Sequence, residues 1–434
     1  LKTIMFSAVF GAAARPERIR FLHEVKAAFP VPVNFVVFNT SETVEADFPV
    51  VNAARGLNPQ FADPLETLQA LLTEHCPGKV DLLLDHARGE LGYGLRVFDQ
   101  MIRKHIRMIL AFCRALDAHD PDYVYLWNQF NALHRTFEAI LQHRGIKMGF
   151  FHDGVLPGSI ALDVDGEMGE SWIAKDPEKF MSVEVSEAQV ARAAAFMASQ
   201  AGMENNRHPQ VEEISVAQSL ALAKLGDRPV MFFAGQNDWH AGIKPKSPAR
   251  AFHSPFFAGS MEALETLDRI AGEIGLAIVF KPHPLSRDRF AFLRANEFPN
   301  TVILQHTSMN VCIDLCDVAA TIASQACYVA LQENTPVMML GRNQLTGKGL
   351  TYDVTNSDMI AATLRTALDD PLEGSRAQDL AVHAAQLEQA YLFDYGTQDA
   401  GFYTRGAADM ARLMHLSVRE PVEDVIEAIV DRTV

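Results

Sequence analysis

Short runs of β-branched and aromatic residues alternate along the chain with longer stretches whose apolar positions recur every three or four residues. This is the pattern of βα units laid around a parallel sheet. In the first half it predicts strands at Ile4 to Phe10, Val33 to Phe38, Val80 to Leu84, Tyr123 to Trp127 and Lys147 to Phe151. Helices are predicted at Pro16 to Ala28, Arg96 to Leu116 and Val183 to Met203. The last three strands end beside polar pairs: Asp85 and His86, Asn128 and Gln129, His152 and Asp153. Ligands of open α/β sheets bind beyond the carboxyl ends of strands, so these pairs are candidate ligand contacts. They also fit residues that merely mark where a strand leaves the core.

A polar, proline-ended segment at 204–209 predicts a linker, and a second series starts near Pro229. Its strands are predicted at Val230 to Ala234, Leu276 to Phe280, Thr301 to Leu304, Val318 to Ile322 and Val337 to Leu340. Helices fit at Ser260 to Ile274, Arg289 to Glu297, Gln325 to Gln332 and Ser357 to Leu368. The expected organisation is therefore an α/β acceptor-side lobe over 1–205, a nucleotide-sugar lobe over 210–380, and terminal helices over 381–434 that cross back to the first lobe. Two Rossmann-like lobes facing across a cleft are the fold this predicts.

Composition narrows the function. A chain of 434 residues can hold two cores. With 38 basic against 54 acidic residues and a net charge of -16, no general basic surface exists for nucleic acid. No run reaches the roughly 18 apolar residues that cross a bilayer, and the first strand lacks the flanks of a secretion signal, so the expected location is the cytoplasm. Five cysteines without a CxxC pair indicate neither a disulfide scaffold nor a cysteine zinc site.

Within this acidic chain, cations gather in loops that follow strands of the second half. Phe233 to His240 offers Gly235 for a tight turn, with Gln236, Asn237, Asp238 and His240 beyond it. Lys281-Pro-His-Pro284 presents Lys281 and His283 on a proline-stiffened backbone. Ser324 and Gln325 open a helix whose first amides offer an anion site. The loop from Gly341 carries Arg342 and Lys348, with Gly347 and Gly349 permitting close approach. Together they predict a phosphate-bearing ligand. Neither a GxxxxGK[ST] loop nor a GxSxG elbow is present. Asp163-Val-Asp165 could bridge a metal-bound diphosphate, but the following Gly166 favours a turn.

These segments, in this order, resemble the capsule polysaccharide synthesis family. Gly235-Gln236 with nearby acids resembles its Gly-Gln segment, and Lys281-Pro-His-Pro284 its Lys-Pro-His-Pro. Ser324 matches its Ser/Thr after a strand, and Gly341-Arg342 with Lys348-Gly-Leu-Thr351 its closing motif. Asp153-Gly154 with Pro157, and Leu162 to Gly166, resemble two segments of the family's first lobe. The resemblance implies a GT-B-type, retaining β-Kdo transferase that takes Kdo from CMP-Kdo without a metal or other cofactor. Its acceptor would be a glycan or glycolipid, reached by peripheral association with the inner membrane or the polysaccharide assembly machinery.

By position, the resemblance implies that His283, Ser324 and Lys348 contact the CMP phosphate or the sugar carboxylate; Gln236, Lys281, Gln325, Arg342 and Gly349 are the further candidate donor contacts. Asp238 would be the carboxylate nucleophile or a base, and Asp153 the acceptor-activating base, with His240 a third candidate catalytic residue. The chain departs from the family pattern at His152, where the family has Glu, and at His240, where one register places a second acid. The alternatives are a transferase for another CMP-linked or UDP-linked sugar, a nucleotide-sugar epimerase, and a non-catalytic polysaccharide-assembly protein.

Overall fold

The computed structural model describes residues 1–7, 16–39, 46–53, 62–91, 98–200, 215–223, 225–284, 298–369, 375–395 and 401–434. In chain order the strands begin with β1 (Lys2–Ser7), β2 (Val33–Asn39), β3 (Val50–Asn52), β4 (Tyr123–Trp127), β5 (Lys147–Asp153) and β6 (Ser159–Asp163). They continue with β7 (Val230–Ala234), β8 (Ala277–Lys281), β9 (Thr301–Ile303), β10 (Val318–Thr321), β11 (Val337–Met339), β12 (Tyr352–Asp353) and β13 (Leu392–Asp394).

The chain divides into two α/β units. One comprises 1–167 and 388–434, and the other 168–387. The sequence pattern had placed its joins at 205–210 and 380–381. The predicted linker at 204–209, the predicted helix at 289–297 and the last three positions of the first predicted strand lie outside the described residues.

Among the described residues the first sheet runs β13-β6-β5-β4-β1-β2-β3, parallel from β3 to β5 and antiparallel at β6 and β13. Alternation along the strands separates its two faces. Met5, Val124, Leu126 and Phe150 enter a core with Leu68, Ile106, Phe112 and Phe137. Phe6, Tyr125 and Phe151 pack against one another on the other face, with ring centroids 5.3 to 6.0 Å apart. Each such buried side chain is worth roughly 1.5–3 kcal/mol relative to exposure.

One predicted strand is corrected. Residues 80–84 begin the helix Val80–Leu91, so Asp85 and His86 lie inside a helix and mark no strand end. Leu83, Leu84 and Ala87 are buried together, a helical spacing that a run of four apolar residues in five also satisfies.

The second sheet runs β12-β11-β10-β7-β8-β9, all parallel. Met231, Phe233, Ile278, Phe280, Val318, Ala320 and Met338 pack against Leu264, Leu267 and Ile270 of the helix Ser260–Ile274. That helix stops at Gly275, whose φ of +74° is open to glycine at little cost. Strand order reverses between β1 and β4 in the first sheet and between β7 and β10 in the second. These reversals open a crevice at the carboxyl ends of the strands, where α/β sheets take ligands.

Candidate functional site

At the reversal in the second unit, β7 runs out through Gly235 and Gln236. The Gly235 amide donates to the Lys281 carbonyl at 2.9 Å, and a Cβ on Gly235 would meet that oxygen at 3.0 Å. Glycine therefore lets the ends of β7 and β8 lie side by side. Across the crevice the Thr321 hydroxyl donates to the Ala234 carbonyl at 3.0 Å, and the Ser324 amide donates to the Thr321 oxygen at 3.1 Å.

Gln236 bridges the same gap. Its Oε1 accepts from the Ala323 amide at 2.9 Å, which fixes the orientation of the side-chain amide. The side chain is 4% exposed, and its Nε2 has no hydrogen-bond partner among the described residues. A buried donor left unpaired costs about 1–3 kcal/mol, so an oriented, unanswered N–H at a strand-order reversal is a candidate ligand contact.

The structure brings Gln236, Lys281 and Ser324 together at the ends of β7, β8 and β10. Lys281 is buried, and His283 follows it, half-buried, between two prolines. Ser324 and Gln325 precede the helix Ala326–Gln332, seven residues long. Its expected anion site is corrected. The amides of Ala326 and Cys327 are taken by the Ser324 Oγ and carbonyl, and that of Tyr328 by the Gln325 carbonyl. Two of the helix's first amides are thus answered by Ser324 itself.

Asp238 opens the short turn Asp238–Ala241. Its Oδ1 accepts from the Ser260 hydroxyl at 2.6 Å and its Oδ2 from the Ser260 amide at 3.0 Å, so it also caps the helix Ser260–Ile274. His240, two residues on, is exposed. Arg342 is exposed too, whereas its amide donates to the His253 carbonyl at 2.9 Å.

Lys348 turns elsewhere. Its Nζ donates to the Ile173 carbonyl at 2.6 Å and lies 5.0 Å from the Phe180 ring. Burial pulls its ammonium from the ordinary 10.5 down to about 7, against the opposing pull of Asp353. Gly347 and Gly349, at φ +77° and +74°, shape this loop, and the Gly347 amide donates to Asp353 Oδ2.

The pattern of residues gave no sign of His253 and Glu170. They are fully or nearly buried, and the imidazole Nε2 lies 2.9 Å from Glu170 Oε1. Cβ atoms on Gly242 and Gly341 would strike the His253 ring and carbonyl at 2.5 and 2.1 Å. His253 therefore joins the loops after β7 and β11. Eighty-three positions separate it from Glu170, and neither residue lies in a motif.

In the first unit Asp153 closes β5 and pairs with Arg18. His152 beside it has both ring nitrogens engaged, Nδ1 with the Asp153 carbonyl at 2.9 Å and Nε2 with the Tyr391 hydroxyl at 3.0 Å. Gln129, one of the candidate ligand contacts, is instead buried and exchanges two hydrogen bonds with Glu167. Asp163 accepts from the Asp165 and Gly166 amides, the turn that Gly166 predicted. Asp153 and Asp238 belong to different units.

Among the described residues no three metal-ligating side chains cluster, and no helix is long and apolar enough to cross a membrane.

Residues 249–390 match the model of the family described as capsule polysaccharide biosynthesis proteins. That region contains Lys281, His283, Ser324, Gln325, Arg342, Lys348 and Gly349, while Gln236, Asp238 and His240 precede it. No curated protein matches. Solved structures with similarity include two described as Thermosulfurimonas dismutans KpsC. The beta Kdo 2,7 transferase is 17% identical over 63% of this chain and 80% of its own, with a TM-score of 0.39. The beta Kdo 2,4 transferase is 16% identical over 61% and 79%, with a TM-score of 0.38. The glycosyltransferase SnogD of Streptomyces nogalater is 12% identical over 96% and 99%, with a TM-score of 0.35.

Proposed function

We propose, from the capsule polysaccharide biosynthesis region at 249–390 and the motifs that precede it, that the chain is a glycosyltransferase whose second unit binds CMP-Kdo. The observation that carries this reading is the Gln236 amide, buried at the β7/β10 reversal with its Nε2 unanswered. An acceptor atom of the nucleotide, a phosphate or base oxygen, completes it. Lys281 and His283, at the end of the neighbouring strand, contribute charge and a further donor as CMP leaves as a phosphate monoester.

In this reading Asp238 is the candidate nucleophile. Retention needs two inversions, and a carboxylate that attacks the anomeric carbon supplies the first. Its hydrogen bonds from Ser260 hold its direction. Asp153 then takes the proton of the acceptor hydroxyl. Lys348 and Arg342 are assigned to the donor by motif, although Lys348 is turned onto Ile173 in this structure.

Calorimetry with CMP and UDP tests the reading. CMP is expected to bind more tightly than UDP, and Gln236→Leu to weaken CMP binding roughly 10–100-fold, the value of one hydrogen bond to a charged group. Equal binding of both nucleotides, or unchanged CMP affinity in the variant, would remove the assignment. Release of CMP from CMP-Kdo then distinguishes a transferase from a non-catalytic binder.

A further inference from the structure

Arg18 lies in the first turn of the helix Pro16–Ala27 and is 4% exposed. Its guanidinium donates to Asp153 Oδ1, lies 4.6 Å from the Trp127 ring centroid and 5.9 Å from that of Tyr395. One side chain thus gathers the ends of β4, β5 and β13. Removing a guanidinium from water costs several kcal/mol, which the ion pair and the aromatic faces offset. An apolar side chain of similar volume would fill the same space without that cost, so packing alone does not account for a charge here.

The carboxylate is placed differently. Asp153 keeps 22% of its side chain exposed while one oxygen is held by Arg18. His152, beside it, is turned inward with both nitrogens occupied. At the end of β5 it is therefore Asp153 that presents an ionisable group toward solvent, in a direction set by a buried, stacked cation.

We propose that Arg18 is the positioning residue for Asp153, fixing the carboxylate to receive a sugar hydroxyl. This rests on the reading of Asp153 as the acceptor's base. The proton leaves the acceptor hydroxyl for Asp153, the hydroxyl oxygen forms the new bond to the anomeric carbon, and the leaving group departs with the electron pair of the old bond. Arg18 exchanges no proton and touches no substrate.

The test compares wild type, Arg18→Met, Arg18→Lys, Asp153→Asn and the Arg18→Met/Asp153→Asn double variant, with melting temperatures confirming that each folds. Turnover is read as CMP release from CMP-Kdo, with water and with a panel of fluorescent glycosides as acceptors. Arg18→Met is expected to lose about 100-fold in kcat, the effect of a displaced reacting group, with kcat/KM for CMP-Kdo unchanged because CMP leaves before Asp153 acts. Arg18→Lys, which keeps the charge but not the planar stack, should fall between, and the double variant should be no slower than Asp153→Asn.

Wild-type turnover in Arg18→Met, or additive losses in the double variant, overturns the positioning role even where Asp153→Asn is inactive. Full turnover in Asp153→Asn sinks the base assignment instead. A readout free of turnover is carbodiimide labelling of Asp153 followed by mass spectrometry. Labelling should rise in Arg18→Met as the carboxylate loses its hold, and an unchanged rate overturns the proposal whatever the donor.

Discussion

Two buried ionisable side chains impose opposite pH dependences on stability. Burial pushes the Asp163 carboxyl from 3.8 up to about 7, outweighing the amides of Asp165 and Gly166 that pull it down. Between those values the folded chain keeps a proton that the unfolded chain has released, so the contribution of Asp163 falls as pH rises through the window. Lys348 behaves inversely. With its ammonium drawn down to about 7, the folded chain lacks between pH 7 and 10.5 a proton that the unfolded chain binds, and stability rises with pH there. Urea midpoints measured against pH check both. The advantage of Asp163→Asn over wild type should grow from pH 4 to 7 and then level off, and wild type should gain on Lys348→Met from pH 7 to 10. Parallel profiles would show that neither group titrates as its burial implies. The candidate site was legible in part for the same reason that these groups were not. Gln236, Lys281 and Ser324 follow apolar strands that announce themselves, whereas the imprisonment of Lys348 by Ile173, or of His253 by Glu170, depends on partners distant in the chain.

Single elements show what pattern reading captures. Tyr123–Trp127 and Ser260–Ile274 stand where their apolar spacing put them, because the strand is an unbroken apolar run buried on both faces and the helix buries one continuous face. The failure at 80–84 arose from a short apolar run compatible with both periods, which only the length of the helix Val80–Leu91 resolves. Strands β3, β12 and β13 span two or three residues each, too few to leave a period at all. The helix Ser260–Ile274 carries a prediction of its own, because the carboxylate assigned to chemistry also caps it. Asp238→Ala should cost about 1 kcal/mol of stability, and Asp238→Asn less, since an amide oxygen still accepts one of the two bonds. Thermal denaturation of both measures this, and it separates a loss of turnover due to chemistry from one due to a frayed helix.

At the scale of the molecule, the first unit is assembled from two separated segments, 1–167 and 388–434. β13 returns to pair antiparallel with β6, Leu392 opposite Ala161, and the helix Ala407–Arg419 packs on Pro16–Ala27. Because 161 and 392 are neighbours, a fusion of 1–167 to 388–434 through a flexible linker of about ten residues should fold alone, giving one cooperative transition by circular dichroism. A chain ending at 387 should not, for it leaves β6 as a bare edge beside an uncovered apolar face. The return of β13 also sets an order of events during synthesis. Domains ordinarily consolidate from the amino terminus as they leave the ribosome. Here the interior unit has all of its own strands before the closing strand of the outer one has been translated. Residues 1–167 must wait, open at β6, until β13 has been translated, so termination before residue 392 leaves an adhesive edge exposed.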